Sequence, residues 1–196
     1  MTLVLVVSDD HWGARAQAIA ADFAGVVVAV DRSGGLWRAM RLVLRGSIPL
    51  AAAWRIWRAQ RSLPSEYPDT AVSFADNAGL RAVIAARGAS EVILFRAGLI
   101  ISGKTLQHCR VRNIHCADTR AFGGLASIHR ALDAGALNQT ATLHIVTDQI
   151  DEGEVLDTES YLLDASASYP VNEKAAYEAG LRLLARTLAA DQGAPG

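Results

Sequence analysis

Cysteine is scarce in this chain: Cys109 and Cys116 are the 2 among 196 residues. That excludes a disulfide-stapled secreted scaffold and points to a cytoplasmic protein held by burial alone. Charge of one sign is also lacking. Lys and Arg number 19 against 20 Asp and Glu, a formal net charge of −1, which excludes a whole-protein nucleic-acid binder. No apolar run reaches the roughly 18 residues of a membrane span, so no integral membrane segment is expected. Thr2–Val7 is apolar but short; it has no basic leader and runs into Ser8-Asp9-Asp10, so it does not read as a signal peptide. Charged residues are only 20% against 51% hydrophobic, which excludes a disordered chain, and 196 residues suit one domain with a sizeable core.

What is present is an alternation of buried-type strands and helices. Leu3–Val7 is a Leu/Val run suited to a strand covered on both faces. A polar loop, Ser8–Trp12, leads to an Ala-rich helix over Gly13–Phe23 and a second strand over Val26–Val30. This β-α-β start predicts a parallel sheet. Further along, Ala78–Arg87 reads as a helix, Glu91–Phe95 as a third strand and Leu99–Cys109 as a turn plus helix. Val111–His115 reads as a fourth strand, Ala126–Ala134 as a helix, Thr140–Val146 as a strand and Val155–Leu163 as an extended arm. Val171–Ala190 is a long amphipathic helix, and the tail from Asp191 is expected to fray. The expected organisation is one α/β domain over 1–190 with a flexible tail at 191–196. The sheet should be mostly parallel and twisted, with helices on both faces.

Residues 32–61 differ from the rest. They hold Arg32, Arg38, Arg41, Arg45, Arg55, Arg58 and Arg61, interleaved with Trp37, Trp54 and Trp57, with no acid between Asp31 and Glu66. Ser47 and Pro49 divide this insertion into two helices, and a Pro-containing loop follows at 62–70. Three readings stay open: a helical pair packed on the sheet with Arg in water, a clamp for an anionic substrate, and weak contact with an anionic membrane surface.

The chemistry concentrates at Asn113-Ile114-His115, at the carboxyl end of a strand, where open α/β sheets bind ligands. Strand alternation puts Asn113 and His115 on one side and Ile114 on the other. Downstream, a strand through His144 and Val146 leads to Asp151-Glu152-Gly153, a tight polar turn. Asn113, His115, Phe122, Gly124, the helix around Ile128–Leu132, His144, Val146, Asp151 and Gly153 form one ordered pattern. It resembles the folate-dependent formyltransferase family, which includes glycinamide ribonucleotide, methionyl-tRNA and sugar N-formyltransferases. The resemblance is strong over about 91–157; over the first 80 residues only the β-α-β pattern agrees.

The resemblance implies a single Rossmann-like formyltransferase domain that moves a formyl group from 10-formyltetrahydrofolate to a small-molecule acceptor amine, without metal. It implies catalytic roles for Asn113, His115 and Asp151. Attack of an amine on the formyl carbon makes a tetrahedral oxyanion, to which Asn113 and a protonated His115 can donate. One such donor is worth roughly 3–4 kcal/mol in other acyl-transfer sites. Asp151 can hold the His115 protonation state or take the amine proton through a water. The pterin pocket would be lined by Ala97, Gly98, Leu99, Ile100 and Ile101 and by the loop Thr147, Asp148, Gln149, Ile150 and Gly153. The acceptor would lie against Asp10, His11, Trp12 and Gly124.

The chain departs from the family pattern in places. Cys116 stands where the family has proline, and Ala117-Asp118-Thr119-Arg120 replaces a Ser-Leu-Leu-Pro-like stretch. The loop after the first strand is Ser8-Asp9-Asp10-His11-Trp12-Gly13, with two acids and one glycine where the purine enzyme binds phosphate. Acids there oppose a phosphate. The length leaves no room for the extra C-terminal domain of the tRNA enzyme. By exclusion, an amino sugar or sugar nucleotide is the expected acceptor. A glycinamide ribonucleotide-type formyltransferase, hydrolysis of the formyl folate and a non-catalytic folate-binding module are the alternatives, and a homodimer is open. His108-Cys109 and His115-Cys116 fit no common zinc spacing, and the two cysteines read as structural.

Overall fold

The computed structural model describes residues 2–33 and 71–193. Its strands are β1 (Leu3–Ser8), β2 (Val26–Asp31), β3 (Val72–Phe74), β4 (Glu91–Phe95), β5 (Arg110–His115), β6 (Asn138–Ile145) and β7 (Val155–Leu162). The described helices are α1 (His11–Ala20), α2 (Asn77–Arg87), α3 (Gly103–Leu106), α4 (Thr119–Phe122), α5 (Ser127–Asp133) and α6 (Tyr169–Gly193). Only Arg32 and Ser33 of the 32–61 segment are described. The expected helical pair, the loop at 62–70 and the tail residues 194–196 lie outside the described residues.

The seven strands form one sheet in the order β3-β2-β1-β4-β5-β6-β7. β1 pairs in parallel with β2 and β4, β2 with β3, and β4 with β5; β6 is antiparallel to both β5 and β7. The sheet is therefore mostly parallel. The apolar runs explain the centre: Leu3–Val7 are all buried, because a strand with no polar side must be covered on both faces. On one face Leu5, Val7, Ile93, Phe95 and Ile114 meet Ala16 and Ala20 of α1, Ile128 of α5 and Leu183, Leu184 and Leu188 of α6. On the other face Val4, Val6, Val92, Leu94 and Val111 meet Leu80, Val83 and Ile84 of α2. Each such Leu or Ile contributes about 1.5–3 kcal/mol by burial. α6 lies close on the sheet because Gly180 has no side chain: a Cβ there would stand 2.8 Å from Cys116 Sγ and 3.0 Å from Phe95 Cε2.

The elements differ from the sequence reading in several places, among them the short helix Thr119–Phe122, which was not expected. Ser8–Trp12 is not all loop, because α1 starts at His11 with Asp10 as N-cap. β3 was not expected, so Glu91–Phe95 is the fourth strand; three residues are too few for a periodic signal. Only Gly103–Leu106 of the expected 99–109 turn and helix is helical. The tail does not fray at Asp191. α6 continues to Gly193, and Asp191 accepts from Arg112 Nη1 at 3.1 Å and Nη2 at 2.6 Å.

Candidate active site

β5 presents Asn113 and His115 on one side, with Ile114 buried on the other. Its antiparallel neighbour β6 sets His144 opposite Asn113. The third component arrives by a turn between β6 and β7. Asp151 adopts φ +57°, and Gly153 passes so close to β6 that a Cβ would fall 1.8 Å from the Ile145 carbonyl oxygen. No side chain fits there, which is the physical reason for a glycine two residues after the aspartate. The turn aims the Asp151 carboxylate back across the sheet end.

There the structure brings Asn113, His115, His144, Asp151 and Gly124 together. Asp151 Oδ2 accepts the Gly124 N–H at 2.7 Å and lies 3.4 Å from His115 Nδ1. Asp151 Oδ1 lies 3.4 Å from His144 Nε2 and 3.5 Å from Asn113 Nδ2. His144 is 1% exposed; its Nδ1 donates to the Ile145 carbonyl at 2.9 Å, which leaves Nε2 to accept from Asn113 Nδ2 at 3.1 Å. The amide nitrogen of Asn113 thus faces two acceptors, the orientation its hydrogens require. His144 thus touches both Asn113 and Asp151.

His115 lies between two acceptors, Asp151 at Nδ1 and the Phe122 carbonyl at Nε2, 3.2 Å away. Burial pushes its pKa below the usual histidine value, and the pull of Asp151 and the Phe122 carbonyl does not fully offset that. Burial thus favours the neutral ring, while the two acceptors favour the imidazolium. Burial raises the Asp151 pKa, but His144, His115 and the Gly124 N–H outweigh it and bring it down to about 2. Asp151 is a firm carboxylate.

The altered 116–124 loop is pinned to the strands. Tyr161 donates to the Cys116 carbonyl at 2.7 Å and Thr142 to the Ala117 carbonyl at 3.0 Å. Arg130 of α5 donates to the carbonyls of Gly123 and Leu125. Burial pushes the Cys116 thiol up to about 12, so it is an inert packing group. Burial raises Cys109 as well. Among the described residues no three His, Cys, Asp or Glu side chains are grouped to hold a metal ion.

The expected pterin-lining segments flank this cluster. Ala97 and Leu99 pack on the same buried cluster as Val146, which precedes the 147–153 turn. Ile101 is buried. The Gly98 and Leu99 N–H groups donate to Asp31 Oδ2 at 2.7 and 2.8 Å, and Asn77 of α2 donates to the Ile100 carbonyl at 2.9 Å. Thr147, Asp148, Gln149 and Ile150 are exposed, with Thr147 Oγ1 holding the Gln149 backbone. Three large apolar side chains, Ile100, Leu125 and Ile150, stand 56–61% exposed on the three loops at this end.

Asp10, His11 and Trp12 belong to a separate cluster. Trp12 packs on Tyr177 with centroids 5.3 Å apart, and Arg96 donates to Asp10 Oδ2 at 2.6 Å. Sequence reasoning missed Arg96, Asp31, Asn77 and Arg130. Asp31 did carry a signal, an acid closing an apolar strand run; the others carried none.

The family model described as Formyl transferase matches residues 70–187. The fold is shared with phosphoribosylglycinamide formyltransferase from Streptococcus pneumoniae, at 21% identity and TM-score 0.69 over 97% of this chain and 98% of that one. It is shared too with a 4-N formyltransferase from Francisella tularensis, at 14% identity and TM-score 0.65 over 96% of this chain and 68% of that one. A formyltetrahydrofolate deformylase from Pseudomonas syringae pv. tomato matches at 17% identity and TM-score 0.66, over 95% of this chain and 59% of that one. A search of curated protein sequences gives no significant match. With more than half its length matched by the family model, on the fold just described, the chain belongs to the formyl transferase family.

Proposed function

We propose that this protein transfers a formyl group from 10-formyltetrahydrofolate to a small-molecule amine, with Asn113, His115 and Asp151 as its catalytic residues. The observation that carries the reading is the convergence of two side chains of β5, His115 at 3.4 Å and Asn113 at 3.5 Å, on Asp151 from a separate turn. The surroundings fit a flat apolar ligand: Ile100, Leu125 and Ile150 offer exposed apolar surface beside the polar cluster.

The bound folate supplies an electrophilic formyl carbon. The acceptor nitrogen bonds to that carbon, the bond to the folate nitrogen breaks, and the proton shed by the amine returns to the folate nitrogen. Asn113 Nδ2 donates to the formyl oxygen as negative charge develops there. Asp151 has too low a pKa to take the amine proton efficiently. The neutral His115 is the better base. With Nε2–H turned to the Phe122 carbonyl, Nδ1 carries the lone pair, and a proton arriving there through a water meets Asp151 Oδ2 at 3.4 Å. Asp151 thus acts by stabilising the imidazolium. The acceptor we propose is an amino sugar or a sugar nucleotide.

Calorimetric titration with a stable 10-formyltetrahydrofolate analogue tests the reading, followed by single-turnover assays against amino-sugar nucleotides. Binding by the wild type and a loss of roughly 100-fold or more in turnover for His115→Ala are expected. No binding by the folded wild type overturns it. Formate release that no amine accelerates would instead identify a hydrolase.

A further inference from the structure

The chain leaves β1 for β2 and β3 on one side of the sheet, then crosses back to β4 on the other. The carboxyl ends of β1 and β4 therefore flank the point where the winding reverses, the crevice in which open α/β sheets take ligands. α1 begins in that crevice. The first-turn N–H groups of a helix form a natural anion site, because they lack partners within the helix and carry the positive end of its dipole.

Here those donors are already engaged. Asp10 Oδ1 accepts from Trp12 N and Gly13 N, both at 3.0 Å. Its other oxygen accepts from Arg96 Nε at 2.6 Å. Arg96 is the first residue beyond β4, in the left-handed region at φ +60°. Its guanidinium lies 4.3 Å over the Tyr177 ring and 3.9 Å from Glu173 Oε1. Asp10 is 6% exposed. Two backbone amides and one guanidinium are a donor set that suits two oxygens of a phosphate as well as it suits a carboxylate.

We infer that Asp10 is a specificity-determining residue: an internal anion that fills the switch-point crevice and closes it to phosphorylated acceptors. The part of the acceptor amine that lies over the start of α1 is then uncharged or cationic, such as sugar hydroxyls or an ammonium group. A phosphate could enter only by evicting the Asp10 carboxylate from three donors, and its charge would oppose the one it displaced. If the acceptor is a sugar nucleotide, its diphosphate is bound elsewhere. The inference rests on the proposed function for the formyl acceptor and for its placement over the start of α1.

The test is calorimetric titration with inorganic phosphate of wild type, Asp10→Asn and Asp10→Ser. Asn and Ser are both good N-caps, and Ser leaves more room. Circular dichroism and a thermal melt establish folding first. The expected result is negligible phosphate binding by wild type. Folded variants should bind at least about tenfold more tightly, since one anion at a partly buried helix start is worth a factor of up to about 30. Adding Arg96→Gln to Asp10→Ser should remove the gain. Phosphate binding by wild type as tight as by the variants overturns the inference, as does a folded Asp10→Ser with no gain. If neither variant folds, the wild-type titration decides: binding at this crevice overturns the inference and its absence supports it. The readout needs no formyl transfer. A chain that fails to bind the folate analogue but gains phosphate in Asp10→Ser would end the proposed function and keep only the role of Asp10 in shutting phosphate out of this crevice.

Discussion

Asp151→Asn keeps the shape of the side chain and removes its charge, so its cost can be worked from the site. The carboxyl pKa falls from 3.8 to about 2 on folding. That gap corresponds to roughly 2 kcal/mol of folding free energy. With the side chain 13% exposed, solvent screens little of it. Because the folded pKa is the lower one, the contribution is fully present above the unfolded value and is lost as pH falls through about 2. The Asn variant lacks it at every pH. Its amide also meets a conflict: Gly124 N donates to one oxygen and Asn113 Nδ2 approaches the other, so either orientation sets a donor against a donor. Urea unfolding near neutral pH should show the variant roughly 2 kcal/mol or more less stable, about 4–8 °C in Tm for a chain this size. The electrostatic part of that gap should shrink to about half near pH 3 and almost vanish by about pH 2. A variant as stable as wild type at neutral pH, or a gap that ignores pH, would refute the account of Asp151 as a paired carboxylate.

Gly153→Ala places a Cβ 1.8 Å from the Ile145 carbonyl oxygen, a backbone atom that cannot swing away. It should cost about 3 kcal/mol or more in urea unfolding and displace Asp151; wild-type stability would show the turn is loose. Asp191→Ala leaves the Arg112 guanidinium, 7% exposed, without its bidentate partner. Because Asp191 itself is 26% exposed, the expected loss is about 2–4 kcal/mol, below that of a fully buried pair, and the same stability as wild type would show α6 is not latched there. NMR titration of the His115 ring should give a pKa below 6.5, set mainly by burial, and lower still in Asp151→Asn because Asp151 raises it. A value above 6.5 would return His115 to the role of charged donor.

The strand that carries Asn113 and His115 was legible because strand geometry has a fixed period. Asn113 and His115, two apart on an apolar strand, had to share a side, and the structure places them so. Gly153 was legible as part of a turn, but the reason for it, contact with the Ile145 carbonyl across the hairpin, needs three dimensions. The start of α1 was misread although its signal was present: Asp10 precedes the helix as a standard N-cap, yet three polar residues in a row read as loop. Pairings across long separations left no local trace. Arg112 meets Asp191 79 residues later, and Arg96 meets Asp10 86 residues earlier. Each of these residues, seen alone, is an ordinary charged residue beside an apolar run.

Three carboxylates at the ligand end of the sheet share one habit. Asp10 takes the N–H groups of Trp12 and Gly13, Asp31 those of Gly98 and Leu99, and Asp151 that of Gly124. Each fixes the shape of a loop by satisfying backbone donors internally, and each thereby withdraws those donors from any ligand. A ligand resting on these loops gains little from those amides, since every bond to one must replace a charge-assisted bond already made. Its affinity would then rest mainly on apolar contact, at about 25 cal/mol per Å² covered. Ile100, Leu125 and Ile150 offer exposed apolar side chains on the loops after β4, β5 and β6.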